Sequence, residues 1–239
     1  KYDSACTVPS WNSSTCNINN GAKILVGWNT KADGSGTTYT LGGSIKNIIS
    51  SGSTTLYAKW ATPSCNVTNG TGTAVATTTN TPKCDVECSA GYNTSGTYTG
   101  TSGATSYSYE CTGNTITLTF ANGGRGTAPT SPASCTYGST FTMPSAMTAT
   151  GYTFNKWSVN SKTFAAGATV TCNSTNLGVT SGTATITGTW NANSLGITLN
   201  KNGGTGTCGG ATGTTSGSLS CKYDSACTVP SWNSSTCNI

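Results

Sequence analysis

Apolar residues alternate with threonine along Thr115-Ile116-Thr117-Leu118-Thr119-Phe120, the period-two pattern of a strand with one buried face. Ile197 and Leu199 open a second strand of the same kind. Asn122-Gly123-Gly124 and Asn202-Gly203-Gly204 end these strands as turns, because glycine supplies the positive φ that tight turns need. Asp33-Gly34-Ser35-Gly36 is a further turn, and closing strands are predicted over 55–60 and 184–190. Trp28, Trp60, Trp157 and Trp190 are the bulky residues of small cores, each able to bury about 150–250 Å². One short helical turn is expected at Leu41-Gly42-Gly43-Ser44-Ile45. The pattern predicts a mainly β chain with little helix.

Two repeats organise these elements. Residues 1–18, KYDSACTVPSWNSSTCNI, recur without a change as residues 222–239, which sets a period of 221 residues (239 less 18). The simplest reading is a long tandem array, of which the chain is an excerpt. The alternative is a single chain with duplicated ends, one of which swaps into a neighbour. A weaker repeat lies inside the period. Asn202-Gly203-Gly204 matches Asn122-Gly123-Gly124, Tyr223 (Tyr2) matches Tyr137, and Thr7-Val8-Pro9 matches Thr142-Met143-Pro144. Leu25-Val26-Gly27-Trp28 matches Phe154-Asn155-Lys156-Trp157, and 56–60 matches 186–190. Ile197 is set against Ile116 in this alignment.

These anchors, above all GWNTKADGSGTTY at 27–39 and TLYAKW at 55–60, resemble the Listeria–Bacteroides repeat, also called the internalin-type B repeat. At 157–160 the family's W-N-T core is replaced by Trp157-Ser158-Val159-Asn160, and its D-G-x-G turn is missing. The resemblance implies a β-grasp-like fold and a non-catalytic module of bacterial surface proteins and adhesins, often arrayed. It divides the period into parts. Residues 1–60 form the C-terminal part of a B-repeat-like domain, completed by residues equivalent to 197–221 of the preceding copy. Residues 61–115 form a cysteine-rich module, 116–190 a second B-repeat-like domain, and 197–239 the N-terminal part of the next.

Composition narrows the function. Only 7% of residues are charged, where an ordinary domain carries about 25%. The net charge of +5 is spread thinly, so no nucleic-acid footprint is expected. No apolar run approaches the roughly 20 residues of a membrane span. Twelve cysteines without a histidine point to an oxidising, extracellular compartment and to disulfides rather than a metal site. Four cysteines in 61–115 allow three connectivities; Cys65 with Cys88 and Cys84 with Cys111 is the favoured one. Local bridges are expected between Cys208 and Cys221, Cys6 and Cys16, their copies Cys227 and Cys237, and Cys135 and Cys172. Bonds between copies are the competing reading.

Catalytic chemistry has little to work with. The acids of a period are Asp3, Asp33, Asp85, Glu87 and Glu110, and general acid–base work favours histidine or paired carboxylates. Asp33 alone does not make a calcium loop, which needs six or more oxygens. No catalytic residue, metal site or cofactor is therefore expected. N-glycosylation sequons stand at Asn12, Asn66, Asn69, Asn93 and Asn173. Tyr92, Tyr98, Tyr107 and Tyr109 are either strand filler or a platform that stacks on glycans or partner proteins. The leading reading is a structural repeat unit of a giant surface protein or fibre, whose partners are neighbouring copies. An adhesin that binds host or neighbour-cell glycans or proteins is the second.

Overall fold

The computed structural model describes residues 4–10, 22–76, 79–99, 104–200, 205–206, 217–229 and 237–238. They fall into two units, Lys1–Asn114 and Thr115–Ile239. Nearly all regular structure is β, as the alternation predicts.

The first unit begins with β1 (Cys6–Thr7), β2 (Ile24–Asn29), β3 (Thr38–Thr40), β4 (Ser44–Ile45) and β5 (Tyr57–Ala61). An antiparallel sheet runs in the order β3-β2-β5, and β1 pairs with β4. Leu41 to Ile45, where a helical turn was expected, instead turns into β4. Ser44 and Ile45 are drawn into a strand because β1 offers them a partner, Thr7↔Ser44 and Cys6↔Ile45. Ile24 and Leu25 are buried in β2, and Val8 is fully buried after β1.

Asn29 organises the turn that follows β2. Its side-chain Nδ2 donates to the carbonyls of Gly34 (3.1 Å) and Gly36 (3.0 Å) and to Thr38 Oγ1 (2.8 Å). Its Oδ1 accepts from the backbone N–H groups of Lys31 (2.8 Å) and Gly36 (3.1 Å). This fully buried amide thus replaces a strand partner for the loop. The second domain has serine at the matching position and closes the same hairpin differently. There Asn160 and Ser161 both take positive φ (47° and 58°), as in a two-residue primed turn.

The cysteine-rich part holds β6 (Ser64–Thr68), β7 (Gly70–Ala74), β8 (Cys84–Cys88), β9 (Tyr92–Thr99) and β10 (Ser106–Gly113). β6 lies parallel to β10 and β9 antiparallel to it, in the order β6-β10-β9, while β7 and β8 form a separate hairpin. A buried asparagine ties this part to the preceding sheet. Asn80 Oδ1 accepts from Leu25 N–H (2.7 Å), and Asn80 Nδ2 donates to Leu25 C=O (3.0 Å). The side-chain amide mimics a strand residue on an edge of β2 that β3 leaves open.

The second unit holds β11 (Thr115–Ala121), β12 (Ser134–Thr136), β13 (Thr140–Thr142), β14 (Tyr152–Val159), β15 (Lys162–Phe164), β16 (Thr169–Thr171), α1 (Ser174–Leu177) and β17 (Gly182–Ala192). β18 (Ser194–Leu199), β19 (Thr205–Gly206), β20 (Gly217–Lys222) and β21 (Cys237–Asn238) follow. Its main sheet is ordered β12-β11-β17-β14-β15, with β11 and β17 parallel at its centre. Ile116, Leu118 and Phe120 are all buried, so the alternation of β11 sorts one face inward. Trp157 is fully buried, edge-on to Phe120 at 5.3 Å, and its Nε1–H donates to Pro144 C=O (3.0 Å). Trp190 Nε1–H donates to Asn122 C=O (2.7 Å), which fastens the end of β11 to β17. The helical turn α1 is capped by Asn173 and ends at Gly178, at φ 79°.

The two domains repeat one design. Trp28 Nε1–H donates to Pro9 C=O (3.2 Å) as Trp157 does to Pro144. Leu25 faces Trp60 and Trp28 faces Ala58 across a bulge, as Phe154 faces Trp190 and Trp157 faces Gly188. Strands β1 to β5 are therefore counterparts of β13 to β17, leaving out the helical turn. Counterparts of β11 and β12 are found in β18 and β20, where Leu195 faces Cys221 as Ile116 faces Cys135. This shifts the alignment: Ile197 corresponds to Leu118, not to Ile116. An alternating strand matches itself after every second residue, so composition left the register open by two.

Replacing Asn29 by alanine should cost the first domain about 2–3 kcal/mol, because it leaves several loop N–H and C=O groups short of partners. Urea unfolding should register the loss, and hydrogen exchange should quicken across 30–37. Unchanged exchange there would contradict this role.

Candidate functional site: disulfide staples, a tyrosine ladder and the repeated segment

The cysteine-rich part has almost no apolar core, so covalent staples must hold it. Cys65 is bonded to Cys84 and Cys88 to Cys111. This differs from the expected Cys65–Cys88 and Cys84–Cys111, and the reason is geometric. Cys84 and Cys88 stand at the two ends of β8. Cys65 lies across from Tyr107 on β10, four residues before Cys111. The crossed pairing would have to span four strand residues, about 13 Å, far beyond the reach of a disulfide. The two bonds instead pin the β7–β8 hairpin at both ends to the three-stranded sheet. Close approach requires Gly70, where a Cβ would lie 2.4 Å from Glu87 C=O and 3.1 Å from Cys111 Sγ.

In the second unit Cys135 is bonded to Cys172 and Cys221 to Cys227. The latter bond replaces both the expected Cys208–Cys221 and Cys227–Cys237 bridges. Cys16 and Cys208 lie outside the described residues. Cys6 is exposed with a free thiol.

Three of the singled-out tyrosines form a ladder. The Tyr98 and Tyr107 rings stack at 4.3 Å, and Tyr107 and Tyr109 at 6.4 Å. Tyr98 O–H donates to Pro82 C=O (3.2 Å) and Tyr109 O–H to Thr94 C=O. Those hydroxyls serve the module's own backbone, which is what strand filler does. Tyr107 is buried, and loss of water raises its pKa, with smaller contributions from the Tyr98 and Tyr109 phenols. Tyr92 is half-buried at the start of β9 and stands outside the ladder.

The remaining candidates are dispersed. Asp33 is fully exposed, and hydrogen bonds from Ser35 lower its pKa; the Ser35 N–H lies 2.9 Å from Oδ1. Among the described residues no three His, Cys, Asp or Glu side chains come together as a metal would require. Asn66 and Asn69 are exposed around the β6–β7 turn. Asn93 uses its amide on Asn114 Oδ1 (2.8 Å) and Ser95 N–H (2.9 Å), and Asn173 caps α1. Asn12 lies outside the described residues. No helix among the described residues is long and apolar enough to cross a membrane.

The repeated segment behaves differently in its two positions, and sequence reasoning missed this. Val8 is fully buried, whereas its copy Val229 is 70% exposed. Cys6 is free, whereas its copy Cys227 is bonded. Beside Cys6 opens a cavity of about 420 Å³ lined by Ile45, Asn47, Ile48 and Ile49 among others.

This architecture is that of a disulfide-stapled, nearly all-β protein. The family model of the Listeria-Bacteroides repeat domain matches residues 12–59 and 115–180, so these two segments are similar to that family. Neither a curated protein nor a solved structure matches the chain.

Replacing Cys88 and Cys111 together by alanine should destabilise the cysteine-rich part by about 3 kcal/mol, the loop-entropy value for a separation of 23 residues. Near-ultraviolet circular dichroism in urea should show this part melting first, and a midpoint equal to that of the parent would refute the stapling role. For Tyr107 the folded pKa is raised, so the folded state holds the phenolic proton more tightly than the unfolded chain. Its stabilising effect is complete below the unfolded pKa of about 10 and is lost as pH rises through the folded value. Tyr107→Phe should flatten the fall of the urea midpoint above about pH 10.

Proposed function

We propose that this chain is a non-catalytic structural unit of an extracellular surface protein, repeated head to tail with β-grasp-like B-repeat domains and a disulfide module in each period. One observation carries the reading. The start of the second copy of the repeated segment is docked on the domain before it. Tyr223, the copy of Tyr2, lies over Gly151 so closely that a Cβ there would sit 2.2 Å from the ring. Tyr223 also meets Tyr152 edge-on at 5.6 Å, and Tyr152 O–H donates to Asp224 Oδ2 (3.0 Å). Arg125 covers the Tyr152 ring at 3.8 Å. Only Asn193 separates β17 from β18, so the second domain passes into the strands that follow it without a loose linker.

In this reading the row transmits tension or projects a tip from a cell. The disulfides limit how far each module extends under load. With 11 Lys and Arg among 239 residues, proteases that cut at basic residues find few sites. Exposed asparagines such as Asn66 and Asn69 would carry glycans in a source that makes them.

Limited proteolysis of the protein from its natural source, under non-reducing conditions, tests the array. A ladder of fragments spaced by one 221-residue period is expected. A single product the size of this chain would overturn the array. Specific glycan binding abolished by Tyr98→Ala would instead support the adhesin.

A further inference from the structure

We propose that residues 194–221 of one copy complete the sheet of residues 4–61 in the next, with β18 adding in parallel along β5 and Cys221 bonding to Cys6. The inference rests on the array reading and assigns the partner and chemistry of its junction.

The second domain supplies the template. There the closing strand β17 is flanked on one side by β14 and on the other by the opening strand β11. Its first-domain counterpart β5 pairs with β2 and is the edge of its sheet. The missing strand has consequences in the core. Trp157 is fully buried against Phe120 of β11, while Trp28, at the same place in the first domain, is only half-buried. Tyr57 of β5 is 42% exposed.

The occupant that fits is the β18–β20 pair of a second copy. It has the antiparallel pairing of β11 and β12, with Cys221 where Cys135 stands. Leu195 and Ile197, counterparts of the buried Ile116 and Leu118, are 43% and 42% exposed, and among the described residues β18 pairs with β20 alone. Transferring the β11–β17 register, in which Leu118 faces Ala184 and Phe120 faces Ile186, places Ile197 beside Thr54 and Leu199 beside Leu56. Leu199 then reaches Trp28 as Phe120 reaches Trp157.

The cysteines close the argument. In the second domain Cys135 bonds to Cys172, whose counterpart in the first domain is Asn47, so that bridge cannot form there. Cys6 lines the same cavity as Asn47. A strand entering as β12 does would bring Cys221 into this cavity. The duplicate segment supports the pairing directly, since Cys227, the copy of Cys6, is bonded to Cys221. The two copies of the segment show complementary halves of one junction. Residues 4–10 have their core, with Val8 buried, and lack the bond; residues 222–229 have the bond and lack the core, with Val229 exposed. Bond formation removes two protons and two electrons from the Cys6 and Cys221 thiols. An oxidised low-molecular-weight disulfide accepts them by thiol–disulfide exchange and leaves as two thiols.

The test uses the full 239-residue chain and a synthetic peptide of residues 193–221 as donor, with oxidised glutathione present. Peptide mapping by mass spectrometry without reduction should find peptide Cys221 joined to chain Cys6. A Cys221→Ser peptide should still slow hydrogen exchange across 54–61. A peptide carrying both Ile197→Lys and Leu199→Lys should be captured at least tenfold more slowly and should protect nothing. Equal capture of the two peptides would reduce Cys6 to an accessible thiol and overturn the proposal. A Cys6–Cys16 bond in the natural protein, alongside an intact 221-residue proteolytic ladder, would sink this junction and leave the array standing.

Discussion

The parallel pairing of a domain's first strand with its last is the contact on which the rest of this structure depends. In the second unit it joins β11 to β17 and brings Ile116, Leu118 and Phe120 over Trp157. No local turn can make this pairing, because parallel strands need a crossover, and here the crossover is most of the domain. Strands β12 to β16 are laid down between the two partners. The domain is therefore finished only when both ends of its sequence are present. Cut between them, it leaves an apolar half on each side.

That constraint explains where the exposed apolar side chains lie. Among the described residues, Ile49, Tyr57, Leu195, Ile197 and Val229 all lie in 4–61 or 194–229, where no such parallel pairing is made, and only Tyr98 lies elsewhere. Residues 4–61 have a small buried core of Val8, Ile24 and Leu25 and gain a polar neighbour through Asn80. Buried amides that satisfy backbone groups are a recurrent device here. Asn29 and Asn80 each stand in for a strand that the small sheets do not provide.

The cysteine-rich part solves the same shortage of core by covalent means. Its two sheets are pinned at both ends of β8 by two disulfides, each joining cysteines at one height on facing strands, and three of its tyrosines stack. Only 7% of the residues of the chain are charged. Of its described groups, Tyr107 has a pKa displaced by burial.

Much of this was legible in the sequence. Period-two alternation marks β11 because a sheet with one buried face demands it. Tryptophan spacing marked the two related domains, since core volume is a local requirement, while the turn expected at Asn202-Gly203-Gly204 lies outside the described residues. The family resemblance follows from those same residues. Pairings across the chain were another matter. Cys65 found Cys84 because the register of β6 against β10 sets which sulfurs share a height, and spacing alone leaves three connectivities open. The register of β18 followed from Leu195 facing Cys221, a contact 26 residues apart in sequence. Asn29 and Asn80 are ordinary polar residues until a backbone edge comes within 3 Å of them. By itself the sequence determined strands with a clear alternation, such as β11, and the repeated segment, because those depend on neighbours along the chain. Only the tertiary structure decided which strand lies beside which, and which cysteine bonds to which, because those depend on distance in space.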